Sequence, residues 1–565
     1  MVHRAPVRAI LWLSLSVVFR SCAKGNGTSG PGPSAKVGRL IGKTRGQVNC
    51  AMATIACVFW RWPACIGRAK SGTVTHHGFG QAPGSRPKVE GRRVAQGDGI
   101  DLCIIGAGPA GIAAAERAVA RGLRVVLVEA GEFGGVAHNW GALPAQVLAA
   151  AAERAHQIRT ARDFGLGTDE PRINFARINA RIRAMIQEAS PTVSPEHLIA
   201  QRIETVSGRA RFTGPSTIDV GGRSIKASRF LIATGTRPVV PDIPGLDGVP
   251  FFTPETIFEV TRRPSHLIVV GAGATGLALA QSHLRLGAKV TLVEMLEPLA
   301  GEDPELVDIV LRRLRAEGLE LHTHTGIVSV AGGDDQDIVL DIKAGPHEDR
   351  IVGSHLLFAT GREPDFQGLG LELARVAMQG RRPELGRFGR TANRRIFIVG
   401  DAAGHEGVHA ARHSAELAVD AITGSVSKEG LVPRIVHTSP AIARVGMTEV
   451  QARAKLKDRF EIVRIALAQT DAARARAQPH GQVKIIIDSA GRVLGAGVVG
   501  PTAPELVPVF ALAIARKMTL SELGGLVAPY PSFAQIIPLA AAEYARDHPG
   551  AAPAGWRRLL KRLLP

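Results

Sequence analysis

Two stretches of this chain repeat one order of apolar, small and acidic positions. The first begins at Asp101 with the apolar run Leu102–Ile105, and the second at His266 with Leu267–Val270. Each run is too short for a helix and is closed by glycine, which predicts a strand buried on both faces of a parallel sheet. A glycine-rich turn and a stretch of small residues follow, which predict a tightly packed helix. A second apolar run, ending in Val125–Val128 or Val290–Val293, then predicts another strand. Each copy ends on an acid, Glu129 or Glu294, and both glutamates stand 23 positions after the first glycine of their turn. Elsewhere, Ala145–Ala152 and the arginine-rich stretch to Arg183 predict helices with one solvated face.

The turns supply the first chemistry. Gly106, Gly108 and Gly111 match Gly271, Gly273 and Gly276 in spacing. In such a turn the first glycine permits the tight bend and the second lets backbone approach a pyrophosphate. The third lets the helix lie against its strand, so that phosphates face the positive end of the helix. A glutamate at the end of the next strand accepts from a ribose 2′-hydroxyl and repels a 2′-phosphate. One such motif is weak evidence, but two in matched context predict two bound dinucleotides.

Charge and cysteine content then divide the chain. Residues 1–98 hold 15 Lys/Arg against 2 Asp/Glu, which is +13 of the total +19 over 565 residues. The body from 99 onward is close to neutral, which excludes nucleic-acid binding as its main task. Cys22, Cys50, Cys57 and Cys65 lie in the extension, at spacings that match no zinc pattern, and Cys103 alone lies in the body. An internal disulfide in the body is therefore excluded. The extension reads as unstructured, or as the product of a start site placed too early. Its Ala9–Phe19 run resembles a signal peptide core, so export is the lesser alternative to a cytoplasmic enzyme. At the other end, residues 551–565 predict a basic amphipathic tail around Trp556, either packed on its own dimer or in weak contact with a membrane surface. His405, His409 and His413 fall at helical spacing, and no metal is assigned to them.

From residue 99 onward, the order of motifs resembles the pyridine nucleotide–disulfide oxidoreductases. The resemblance rests on the first turn, Gly134–Gly135, the Phe230–Pro238 segment with Thr234 and Gly235, and the second turn. It continues through Phe358–Arg362 with Gly361, Ile396–Ala403 with Gly400 and Asp401, and Ser439–Glu449. It implies an α/β fold of two nested Rossmann-like domains, for FAD and NAD, plus a C-terminal α+β dimerisation domain. The expected bounds are 99–247 and 355–430 for FAD, 248–354 for NAD and 431–550 for dimer contacts. Asp401 is implied as a ligand of the flavin's ribityl chain. Glu294 implies NADH in preference to NADPH, and the C-terminal domain implies an obligate homodimer.

The chain also departs from that pattern. The family's segment Gly-Gly-x-Cys-x-Asn-x-Gly-Cys-x-Pro-Ser-Lys is present in frame, but its cysteines are Ala137 and Ala142 and its lysine is Gln146. The glutamate that partners this lysine is Ala278. The family's terminal His-Pro…Glu is Tyr530-Pro531…Gln535. Losing the Lys and the Glu together avoids a lone buried charge, and a His–Glu base has no proton to move once the thiols are gone. The expectation is an oxidoreductase that takes hydride from NADH onto FAD. It passes electrons to a small non-disulfide acceptor such as a quinone, with Tyr530 and Gln146 nearest that acceptor. The alternative is a degenerate FAD- and NAD-binding pseudoenzyme with a structural or sensing role.

Overall fold

The computed structural model describes residues 99–334, 337–425 and 429–548. The expectations for the N-terminal extension and for the basic tail lie outside them. Both predicted repeats fold as strand, turn, helix, strand. The first runs Ile100–Ile105, helix Pro109–Ala120, then Val125–Glu129. The second runs His266–Val270, helix Ala274–Arg285, then Lys289–Val293.

Around the first repeat, parallel strands lie in the order Ile203–Ser207, Val125–Glu129, Ile100–Ile105, Arg223–Ile232, with Ile396–Ile398 on the far side. The Arg223–Ile232 strand is long enough to serve two partners. Its second half joins the parallel sheet, and its first half begins an antiparallel meander with Thr217–Val220 and Ala210–Gly214. Around the second repeat lies a four-stranded parallel sheet ordered Glu320–His322, Lys289–Val293, His266–Val270, His355–Phe358. A three-stranded antiparallel sheet, Gly326–Gly332 to His347–Gly353, adjoins it. The apolar runs Leu102–Ile105 and Leu267–Val270 of the two central strands are buried, as a strand inside a parallel sheet requires.

This topology moves one expected boundary. The division at 354/355 falls before His355–Phe358, yet that strand pairs along its whole length with His266–Val270. Its partners make it part of the second unit, and the chain returns to the first only after Phe358. There Arg362–Pro364 pairs antiparallel with Thr236–Pro238, so the two crossings between the units form one short ribbon.

The C-terminal part is a five-stranded antiparallel sheet ordered Arg434–Val436, Ala441–Gly446, Val493–Gly500, Gln482–Asp488, Phe460–Ala466. Helices Ala503–Ala515 and Ile536–Asp547 bury their apolar faces on it around Phe510, Ile536 and Ile537. Among the described residues, no helix is long and apolar enough to cross a membrane.

Candidate functional site

The first turn is built as its glycines demand. Gly106 sits at φ +104°, where a Cβ would lie 2.4 Å from the Ala233 carbonyl oxygen. A Cβ on Gly111 would lie 1.8 Å from the Gly106 oxygen, so the helix can approach its strand only with glycine there. Glu129 ends the next strand and reaches back to the turn. Its Oε2 accepts from the Ala107 amide at 2.5 Å and its Oε1 from the Gly131 amide at 2.7 Å. The second turn repeats this arrangement. Gly271 has the same φ, its Cβ would meet the Ala359 oxygen at 2.5 Å, and one on Gly276 would meet the Gly271 oxygen at 2.0 Å. Glu294 accepts from the Ala272 amide at 2.6 Å and the Leu296 amide at 2.8 Å.

Each turn therefore leans on the residues that end a later strand, Ala233–Gly235 in one case and Ala359–Gly361 in the other. Thr234 lies here with its Oγ1 buried and without a hydrogen-bond partner. Gly134 and Gly135 fold over the first turn, and the Gly134 amide donates to the Ala107 oxygen at 2.9 Å. Gly400 reaches the same turn from the other side, where an added Cβ would sit 2.9 Å from the Ala110 Cβ. Asp401 follows in a single 3-10 turn ahead of helix Val408–Ile422. Burial pushes its carboxyl above the ordinary range, against the lowering pull of the nearby Arg362 charge. Arg362 is itself held by the Thr236 Oγ1 at 2.7 Å and by Glu255 at 2.6 Å.

Ala137 lies in the short helix Gly135–Asn139, and Ala142 begins helix Ala142–Arg159. Asn139, between them in the chain, ties the end of the first helix back to its start by donating to the Phe133 and Gly135 carbonyls, at 3.0 and 3.1 Å. Gln146 is exposed one helical turn after Ala142. Tyr530 lies elsewhere, on the C-terminal sheet domain. It is 71% exposed, and its hydroxyl donates to Asp471 Oδ2 at 3.2 Å. Within one protomer, then, the two polar residues expected beside the acceptor belong to different domains. Gln535 closes a reciprocal cap with Ser532, its Oε1 accepting from the Ser532 amide at 3.3 Å.

The three histidines do not share a helix. His405 precedes it, His409 bonds the Pro433 carbonyl and His413 accepts from the Gly430 amide. Among the described residues no group of three His, Cys, Asp or Glu could hold a metal ion. Sequence reasoning gave no role to Arg362 or to the buried Arg285. The second left one trace: a run of polar residues, Gln281 to His283 and Arg285, that are buried along the second half of their helix.

Residues 100–423 match the family model described as pyridine nucleotide-disulphide oxidoreductase, and residues 432–541 match the model of that family's dimerisation domain. A dihydrolipoyl dehydrogenase of Thermus scotoductus is 33% identical over 448 residues, 77% of this chain and 95% of the relative. A mercuric reductase of Streptomyces lividans is 33% identical over 463 residues, 80% of this chain and 97% of the relative. Among solved structures, LpdA from Mycobacterium tuberculosis is 26% identical with a TM-score of 0.72, covering 79% of this chain and all of that one. The flavoprotein disulfide reductase RclA from Escherichia coli, at 24% identity and a TM-score of 0.69, covers 78% and 99% and shares the fold.

Proposed function

The chain belongs to the pyridine nucleotide-disulphide oxidoreductase family, and on that premise we propose an FAD-dependent oxidoreductase that takes hydride from NADH and gives electrons to an acceptor other than a disulfide. One observation carries the reading: both nucleotide turns are intact, while Ala137 and Ala142 stand where the family's thiols would be. Cys103 offers no substitute. It is fully buried on the central strand, and burial pushes its thiol up to about 12, so it stays protonated and unreactive.

The first unit suits FAD on two counts. Thr234 Oγ1 is buried with no partner, and Asp401 is a half-buried carboxylate that a ribityl hydroxyl would serve as donor. Glu129 and Glu294 are each held by two amides with their carboxylates at the turn, set to receive a ribose hydroxyl. Bound there, FAD supplies the hydride acceptor and NADH the donor. The protein's part is to hold the two at close range, and Glu294 would disfavour a 2′-phosphate by like charge. Dihydrolipoamide and mercuric ion, the substrates named for relatives, need thiolates that these alanines cannot provide. A quinone, which needs none, fits better. Residues 432–541 support a homodimer, in which the exposed Tyr530 of one copy and Gln146 of the other would flank the acceptor.

The second reading is a pseudoenzyme that binds both nucleotides without turnover, favoured by Gln146 and Ala278 at the family's Lys–Glu positions. Anaerobic mixing of the flavin-loaded chain with NADH separates the two. Bleaching of the flavin band, then reoxidation by a quinone over many cycles, is expected. A flavin that stays oxidised, or brisk consumption of a lipoyl dithiol, overturns the proposal.

A further inference from the structure

Helix Ala142–Arg159, which begins at Ala142, packs along helix Ala274–Arg285, which begins at the second nucleotide turn. At the far end of this pair lies Arg285, with only 5% of its side chain exposed. Its Nη2 donates to Glu317 Oε1 at 2.7 Å and its Nε to Glu317 Oε2 at 2.8 Å, a two-pronged pair with a carboxylate 6% exposed. Its Nη1 bonds Glu153 on the neighbouring helix, and its Nη2 also reaches the Ser439 carbonyl at 3.2 Å. Three surrounding contacts draw the same parts together. Gln281 exchanges two hydrogen bonds with the Ser439 backbone, each 2.7 Å. Arg159 donates to the Arg285 carbonyl, and Arg313 bonds both Glu317 and His156. One buried guanidinium thus joins the helix of the first unit, the helix of the second and the turn between the Arg434–Val436 and Ala441–Gly446 strands of the C-terminal sheet.

The groups facing it balance. Arg159, Arg285 and Arg313 oppose Glu153, Glu317 and Glu170, the last pairing with Arg159 at 2.6 Å. Burial would raise Glu317, but the guanidinium overrides this and holds the carboxyl below its ordinary range. Burial and the adjacent Arg285 charge lower His156, which favours its neutral form beside two arginines. A buried ion network satisfied on every side is costly to lose in part. It fixes one arrangement of helices more strictly than apolar packing, which tolerates sliding.

We propose that Arg285 is a positioning residue for hydride transfer, locking the helix of the nicotinamide unit against the helix that follows Ala137 and Ala142, and so setting the distance between the two nucleotides. This rests on the function proposed above. Hydride transfer depends steeply on that distance, and a displacement of about 1 Å can cost on the order of a hundredfold in rate.

The test uses the full flavin-loaded chain and the variants Arg285→Met, Arg285→Lys and Glu153→Gln. Two readouts are taken: the single-turnover rate of flavin reduction with the NADH affinity, and hydrogen exchange of the two helices. For Arg285→Met the reduction rate should fall about tenfold or more while NADH affinity changes by less than about threefold, given the distance dependence. Amides of both helices should exchange faster while the C-terminal sheet is unchanged. Arg285→Lys should recover part of the rate. If Arg285→Met does not fold, Glu153→Gln decides, since it keeps the Arg285–Glu317 pair and should loosen helix 142–159 alone. Unchanged exchange in that helix, or loss of affinity and rate together without rescue by lysine, overturns the proposal. If NADH fails to reduce even the unaltered chain, the proposed function falls, and hydrogen exchange still judges the lock by itself.

Discussion

At Gly106 and at Gly271 the backbone bends through the same angle, and a glutamate from the next strand takes the amide that follows. Beyond that bend the two units part. The first turn is covered from two sides by chain that arrives later. A Cβ on Gly135 would lie 2.8 Å from the Gly108 Cα, and Gly400 is pressed on Ala110. At the second turn the Leu299 amide donates to the Ala272 oxygen at 3.0 Å, as the Gly134 amide does to Ala107, but an added Cβ on Gly273 would meet no neighbouring element within 4 Å, and Met295 and Leu296 are exposed. Equal local sequence has given one closely covered cradle and one more open cradle. On the reading proposed here, the covered one keeps FAD resident and the more open one lets NADH come and go.

Breaking each turn in the same way should have unlike results. Gly111→Ala forces a methyl into the Gly106 carbonyl and is expected to yield a colourless, poorly folded chain, read by flavin content and melting. Gly276→Ala meets the equivalent clash, yet it should leave a yellow protein whose reduction by NADH falls by about a hundredfold, the cost of misplacing a reactant by about 1 Å. Loss of flavin from both variants would show that the cradles do not act independently. Next in size is Glu294→Gln, which removes the like charge facing a 2′-phosphate. The NADPH-to-NADH ratio of kcat/KM should rise about tenfold, equivalent to about 1.4 kcal/mol, and Glu129→Gln should leave that ratio unmoved.

A smaller effect is expected at Tyr530→Phe. Quinone turnover should drop by about threefold to tenfold, the worth of one hydrogen bond, with the NADH half-reaction unaltered. An equal loss in both half-reactions would remove Tyr530 from the acceptor face. The least effect concerns how the open unit is anchored. Glu305 accepts from Arg464 at 2.7 Å and from the buried Lys484 at 2.9 Å, which, led by Arg464, hold its carboxyl down at about 2. A depressed value in the folded state stabilises above the unfolded value near 4.5 and is lost as pH falls from there toward 2. Melting temperature should decline across that window, and Glu305→Gln should decline less steeply because the group no longer titrates.

The parts legible in the sequence are those set by near neighbours in the chain. Apolar runs, glycine spacing and the closing glutamates predicted both repeats, because a buried strand and a tight turn each need particular residues within a few positions. What escaped depends on partners far away. His355–Phe358 reads like any short apolar strand, and only its pairing with His266–Val270 assigns it to the second unit. Arg285 meets Glu153 and Glu317 across 132 and 32 positions. Tyr530 finds Asp471 across 59, so neither partner could be read from spacing. At the candidate site, the conformation of the turns followed from their glycine spacing, whereas the cover over the first turn emerged only once Gly135 and Gly400 were seen to converge on it.

The ribbon formed by Thr236–Pro238 and Arg362–Pro364 bears on how the nicotinamide unit is tethered. Because the outgoing and returning crossings are zipped to each other, neither can stretch alone. The nicotinamide unit is thus tied by a two-ply strap of chain as well as by the Arg285 network and the Glu305 pairs, and shearing past the flavin unit would first have to peel the two plies apart.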